Sequence, residues 1–138
     1  LTRIGAPRKA KLNDASGRLG KARAYKKAAF DGLTLLEDGG LADPILSNIV
    51  LAAVGYADAV TAKLSKEINQ GDHGGVAQLL AKAAGSDFTL HERRRLERIL
   101  KEKAEAQYGS RPGRKETAET LFADLEKFAG WAEELLKR

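Results

Sequence analysis

DPILSNIVLAAVGYADAVTAKLSKEI, residues 43–68, is the stretch on which the fold turns. Ile45, Leu46, Ile49, Val50, Ala53, Val54, Ala57, Val60 and Leu64 recur at steps of three and four residues and leave little polar face. A helix of that kind is surrounded by other helices rather than laid on a surface. Its start is marked twice: Asp43 can accept a hydrogen bond from an orphan amide, and Pro44 falls in the first turn, where its missing N–H costs nothing. The pattern predicts a core helix from Asp43 to about Ile68. Ala52, Ala53, Gly55, Ala57 and Ala59 would let neighbours approach closely, although Gly55 lowers helix propensity. Ser47, Asn48 and Asp58 interrupt the apolar run, which falls short of the roughly 20 residues of a membrane span, so no membrane association is expected.

Working outward, four more helices are predicted. Upstream, residues 1–12 contain Gly5 and Pro7 and no periodicity, and are expected to form a flexible basic arm. The first helix starts near Asn13 or Asp14, carries Leu19, Ala22, Phe30, Leu33 and Leu36 inward, and ends at Gly39–Gly40. Downstream of the core helix, Asp72 is placed to cap a short third helix bearing Val76, Leu79, Leu80 and Ala83, stopped by Gly85. Thr89 and Glu92 form a capping box that opens a fourth helix with Leu96, Ile99, Leu100 and Ala104 on its apolar side, ended by Gly109 and Pro112. The fifth, about Glu116 to Lys137, has the clearest stripe: Ala118, Leu121, Phe122, Leu125, Phe128, Ala129, Ala132, Leu135 and Leu136. Short connections between most of these helices imply antiparallel neighbours. The expected architecture is all-α: an up-and-down antiparallel bundle of about five helices, one domain over residues 13–138, with no strands.

Composition agrees. The chain has 138 residues, 43% apolar and 31% charged, which suits one globular domain with one core. The absence of cysteine excludes disulfides, thiolate metal sites and cysteine nucleophiles, and fits a reducing compartment. No secretory signal is recognisable, so a soluble, cytoplasmic protein is expected; the lack of any methionine, even at position 1, suggests a trimmed start. Charge is unevenly spread. Residues 1–27 hold nine basic side chains against Asp14 alone, a net of +8; the whole chain carries +5, leaving −3 for residues 28–138. Such a segment attracts phosphate backbones or an acidic partner without sequence preference, or is simply a solvated helix face.

Catalytic chemistry is sparse. The two histidines, His73 and His91, stand at different predicted helix starts, and neither belongs to a His-x-x-x-His or Glu-x-x-His pair, so neither metal nor cofactor is expected. His73 beside Asp72 could act as an acid/base pair, but reads more economically as part of a helix start. No phosphate-cradling glycine loop follows a strand.

The order of parts over residues 43–138 resembles a HEPN domain: an Ala-rich buried helix, a short DHGGVAQLL helix after a polar turn, a helix ending EKAEAQYG, and a final amphipathic helix KETAETLFADLEKFAGWAEELL. The resemblance implies a helical bundle, with a homodimer or a helical protein partner expected; a purely structural partnership with a neighbouring protein such as a nucleotidyltransferase or antitoxin is a further alternative. Many members are RNases with an Arg, four to six residues, then a His, often followed two residues later by a Tyr. There the imidazole handles the 2′-hydroxyl proton and the guanidinium steadies phosphate charge. Aligning Tyr108 with the family tyrosine puts Lys101 at the arginine position and Ala106 at the histidine position. The proton-transferring group is missing, and the resemblance implies the non-catalytic branch, a binding or assembly module; an RNase or other enzyme of a toxin-antitoxin or defence system with a degenerate site, depending on His73, Asp72 or Tyr108, is the alternative.

Contact chemistry remains. Arg93, Arg94, Arg98, Lys101, Lys103, Arg111, Arg114 and Lys115 gather around Tyr108, on which a base could stack, and are the candidate contacts to nucleic acid or nucleotide. Arg95 lies in the same row, and Glu92, Glu97, Glu102 and Glu105 are interleaved at salt-bridging spacing. Arg8, Lys9, Lys11 and Arg18 are the candidate contacts of the basic arm. Trp131 lies one step off the last stripe, at a dimer contact or partly buried in the core.

Overall fold

The computed structural model describes residues 6–71 and 73–138, apart from the side chains of Ala104 and Gln107. Six helices account for most of it: α1 Asp14–Leu35, α2 Asp43–Leu64, α3 Gly74–Ala84, α4 Leu90–Lys101, α5 Lys103–Tyr108 and α6 Lys115–Leu136. The five-helix all-α bundle read from the sequence is the fold, with the fourth helix broken at Glu102 into α4 and the short α5.

Side-chain partners reveal the directions of the helices. Gly32 lies against Ile45, Gly55 against Ala22, and Arg18 against Asp58, so early α1 meets late α2 and the two form an antiparallel hairpin. Asp43 bonds Gly113 just before α6, and Lys63 bonds the Leu136 carbonyl near its end, so α2 and α6 run parallel. Arg98 bonds Asp124, whereas Lys101 shares a hollow with Thr120, which sets α4 antiparallel to α6. The four longest helices therefore alternate up and down, with α3 packed on α2 as the connection between α2 and α4.

The core is built around α2. Thirteen of its 22 residues are buried, among them Ile49, Val50, Ala53, Tyr56, Ala57 and Val60. By length and a mean hydropathy of 1.6 over its most apolar window α2 could cross a membrane, contrary to the interrupted run expected, but 78% of that window is buried inside the bundle. From α6, Leu125, Phe128 and Ala132 meet it, and from α4 Leu96 and Ile99 close the far side. The predicted stripe of α6 is buried as expected, except that Leu136 is only partly covered.

Local expectations fail where the chain makes non-local bonds. The core helix stops at Leu64 rather than near Ile68, because Lys66 takes a left-handed φ of 59°. Glu67–Ile68 (β2) then pairs antiparallel with Arg8–Lys9 (β1), in the register Arg8 with Ile68. Two strands exist where none was expected, and the part of the arm expected to be flexible that contains Arg8, Lys9 and Ala10 is tied down, the Ala10 amide bonding the Lys66 carbonyl at 2.8 Å. Phe30, expected to point inward on α1, is 54% exposed; only Ala22 and Ala29 of that helix are fully buried. Asp58, expected to break an apolar run, is itself buried. The proposed cap Asp72 lies outside the described residues. Thr89 caps α4 by accepting from the Glu92 amide at 3.4 Å, but the Glu92 carboxylate pairs with Arg95 instead of returning to complete the box.

Candidate functional site

Lys101–Glu116 links α4 to α6, and its shape follows from its bonds. The Gly113 amide donates to both carboxylate oxygens of Asp43, at 3.0 and 3.2 Å, while the Gly113 carbonyl accepts from the Ala42 amide at 3.1 Å. Asp43 therefore serves this loop instead of capping its own helix, whose N-cap position is Ala42. The Glu105 carboxylate accepts from the Arg111 amide at 3.1 Å. Between α5, the loop and the start of α2 lies a cleft of about 540 Å³ lined by Asp43, Glu102, Glu105, Ala106, Arg111 and Arg114, among others. Three carboxylates face two guanidiniums, an arrangement that does not favour an anion.

The basic row is largely neutralised from within. Arg98 holds Asp124 through two bonds of 2.9 Å, which raise its pKa. Arg93 pairs with Glu97 at 3.9 Å, Arg111 with Glu105 at 3.8 Å, Arg114 with Glu116 at 3.9 Å and Lys115 with Asp38 at 3.6 Å. Among the described residues no carboxylate lies within salt-bridge distance of Arg94, Lys101 or Lys103. Some of these groups line adjoining hollows that share Glu102 and Thr117. Arg111 and Arg114 share the cleft, Arg98 and Lys101 share a shallow hollow with Glu102 and Glu116, and Tyr108, 81% exposed, lines neither. His73 and His91 line neither of them.

Two candidates of the arm are also engaged. Arg8 donates to Asp14 at 2.9 Å, and the Lys11 amide donates to the same carboxylate at 2.6 Å; the guanidinium first, then the amide, hold Asp14 down at about 2. Arg18 reaches the buried Asp58 at 3.4 Å. Burial pushes Asp58 up to about 6, against the pull of Arg18 and, more weakly, Arg8. Lys9 and Lys11 are exposed, and with Lys21 and Lys26 of α1 they have no described carboxylate within salt-bridge distance.

A groove of about 310 Å³ between α1 and α6 was not singled out by sequence reasoning. Arg23, Lys26, Lys27 and Phe30 line its α1 side, Phe122, Glu126 and Glu133 its α6 side, and Tyr56 its floor. Arg23 bonds Glu133 through two nitrogens, and Phe30 stands against Phe122 with ring centroids 6.0 Å apart. Burial, followed by the neighbouring Glu133 charge, pushes the Tyr56 phenol up to about 12. The spacing of residues 23, 26, 27 and 30 puts all four on one helical face, a signal legible in the sequence. It was masked because Phe30 also fits an inward apolar pattern.

Trp131 packs between Phe88 and Phe128, with centroids at 5.5 and 5.4 Å, and its indole N–H donates to the Asp87 carbonyl at 2.9 Å. It is a partly buried member of the core margin. No protein-family model matches this chain, and no curated protein matches it either.

Proposed function

We propose that the chain is a non-catalytic, HEPN-like helical module that binds nucleic acid through its basic N-terminal surface. The observation that carries the reading is the contrast between its two basic regions. Most cations of α4 and the following loop pair with carboxylates of the same fold, whereas Lys9, Lys11 and Lys21 have no described carboxylate within salt-bridge distance. Exposed cations free of ion pairs are what a phosphate backbone finds, through counterion release. The non-catalytic part is supported by the cleft beside α5, whose wall carries Ala106 and three carboxylates at the place where the resembling family keeps its imidazole. Association as a homodimer or with a helical partner belongs to the same proposal.

Fluorescence anisotropy of a labelled single-stranded RNA over a salt series tests it. Binding weakens as salt rises, and replacing Lys9, Lys11 and Lys21 with Ala reduces the slope of log affinity against log salt by about 2, at roughly 0.7 per phosphate contact. No binding at low salt would overturn the nucleic-acid reading; clean cleavage of the RNA would overturn the non-catalytic one.

A further inference from the structure

We infer that the α1–α6 groove is a stacking site for a single unpaired base, with Phe30 as the platform and Lys26 as the contact to the adjoining phosphate. The inference rests on the nucleic-acid reading above and names the ligand class of one surface within it.

Phe30 is an aromatic ring left 54% exposed on α1. Phe122, a buried residue of α6 on the facing wall of the groove, stands against it with the rings tilted at 44° and limits its movement. The groove charges are nearly balanced. Arg23 is taken by Glu133 and Lys27 bonds Asp31 at 2.8 Å, while Lys26, without an ion pair of its own, lies within the field of Glu133 and shares the groove with Glu126. A nearly neutral groove cannot be a polyanion trap. Its attraction is the exposed π-face, which every base can use, with one cation at its side. A volume of about 310 Å³ is at the small end for ligand pockets and suits one nucleotide unit. A base paired in a duplex has no free face to offer, so single strands are selected.

The division of labour follows: the arm lysines supply salt-sensitive affinity, and the groove supplies a stacking contribution that salt affects little. The test is anisotropy titration of a 12-nucleotide single strand, its duplex and an abasic strand of equal length. Phe30→Ala should weaken single-strand binding about tenfold while leaving the salt slope unchanged, and Phe30→Tyr should restore it. The abasic strand should bind the wild-type chain as weakly as Phe30→Ala binds the normal strand, with no further loss when both changes are combined. Circular dichroism of Phe30→Ala should match the wild type, because the ring is half out of the core. A wild-type chain that binds single strands while Phe30→Ala binds equally well overturns the groove but not the wider reading; a wild-type chain that binds no strand at low salt overturns both. Loss of a dimer on Phe30→Ala, with strand affinity intact, would make the ring a protein contact and also overturn the groove.

Discussion

Gly55 of α2 lies so close to Ala22 of α1 that a side-chain carbon built on Gly55 would sit 2.9 Å from the Ala22 Cβ and 3.1 Å from its Cα. The obstacle is largely backbone, which cannot swing aside. Gly17 and Gly20 on the same α1 have nothing within 4 Å of such a carbon. The same substitution should therefore have opposite signs. Gly17→Ala or Gly20→Ala should stabilise by about 0.5–1 kcal/mol through helix propensity. Gly55→Ala should destabilise by roughly 1–3 kcal/mol, because overpacking outweighs the propensity gain. Urea midpoints by circular dichroism decide it.

Asp58 and Asp14 should respond to pH in opposite directions. The folded Asp58 carboxyl holds its proton up to about 6, whereas unfolded it releases it near 4, so the folded state binds more protons between those values. Its contribution is full below about pH 4 and is lost as pH rises through 6, by roughly 3 kcal/mol. Asp58→Asn should raise the melting temperature at pH 7.5, and the difference from wild type should shrink towards pH 4. Asp14, held at about 2, contributes above about pH 4 and loses that contribution as pH falls through 2. Asp14→Asn should therefore lower the melting temperature at neutral pH and converge with wild type in strong acid.

The bond from the Gly113 amide to Asp43 joins segments 70 residues apart. Asp43→Ala should cost about 1.5–3 kcal/mol, the range for a hydrogen bond to a charged group. The more specific expectation is faster hydrogen exchange at the Gly113 amide with little change at core amides of α2. Uniform acceleration across α2 would show that the carboxylate stabilises the whole bundle instead.

Trp131→Phe keeps an aromatic ring between Phe88 and Phe128 but removes the donor to the Asp87 carbonyl. A loss of about 1 kcal/mol is expected, as for a neutral hydrogen bond. Trp131→Ala should cost more, because the packing goes as well. Wild-type tryptophan emission should shift to the red in the same transition seen by circular dichroism, since this is the one tryptophan in the chain.

The helices were legible because their causes are local. A repeat of apolar residues at three and four steps selects one helical face whatever the rest of the chain does, which is why α6 matches its expected bounds within a residue and α2 its expected start. Thr89 at the start of α4 and Gly85, with its φ of 56°, at the end of α3 are equally local signals. The end of α2 lies earlier than its local pattern implies because β2 exists only through its pairing with β1, far upstream, in the register Arg8 with Ile68.

By itself the sequence determined the helical class, the core stripe and the concentration of positive charge at the N-terminal end, because each is a property of composition or short-range period. Tertiary structure alone decided which charges remain available. Arg98 finds Asp124, Arg18 finds Asp58 and Arg23 finds Glu133 across 26, 40 and 110 residues of chain, and an ion pair depends on distance in space, which no local pattern encodes. The same packing turned Phe30 outward against Phe122 and so made a groove from residues that the chain keeps far apart.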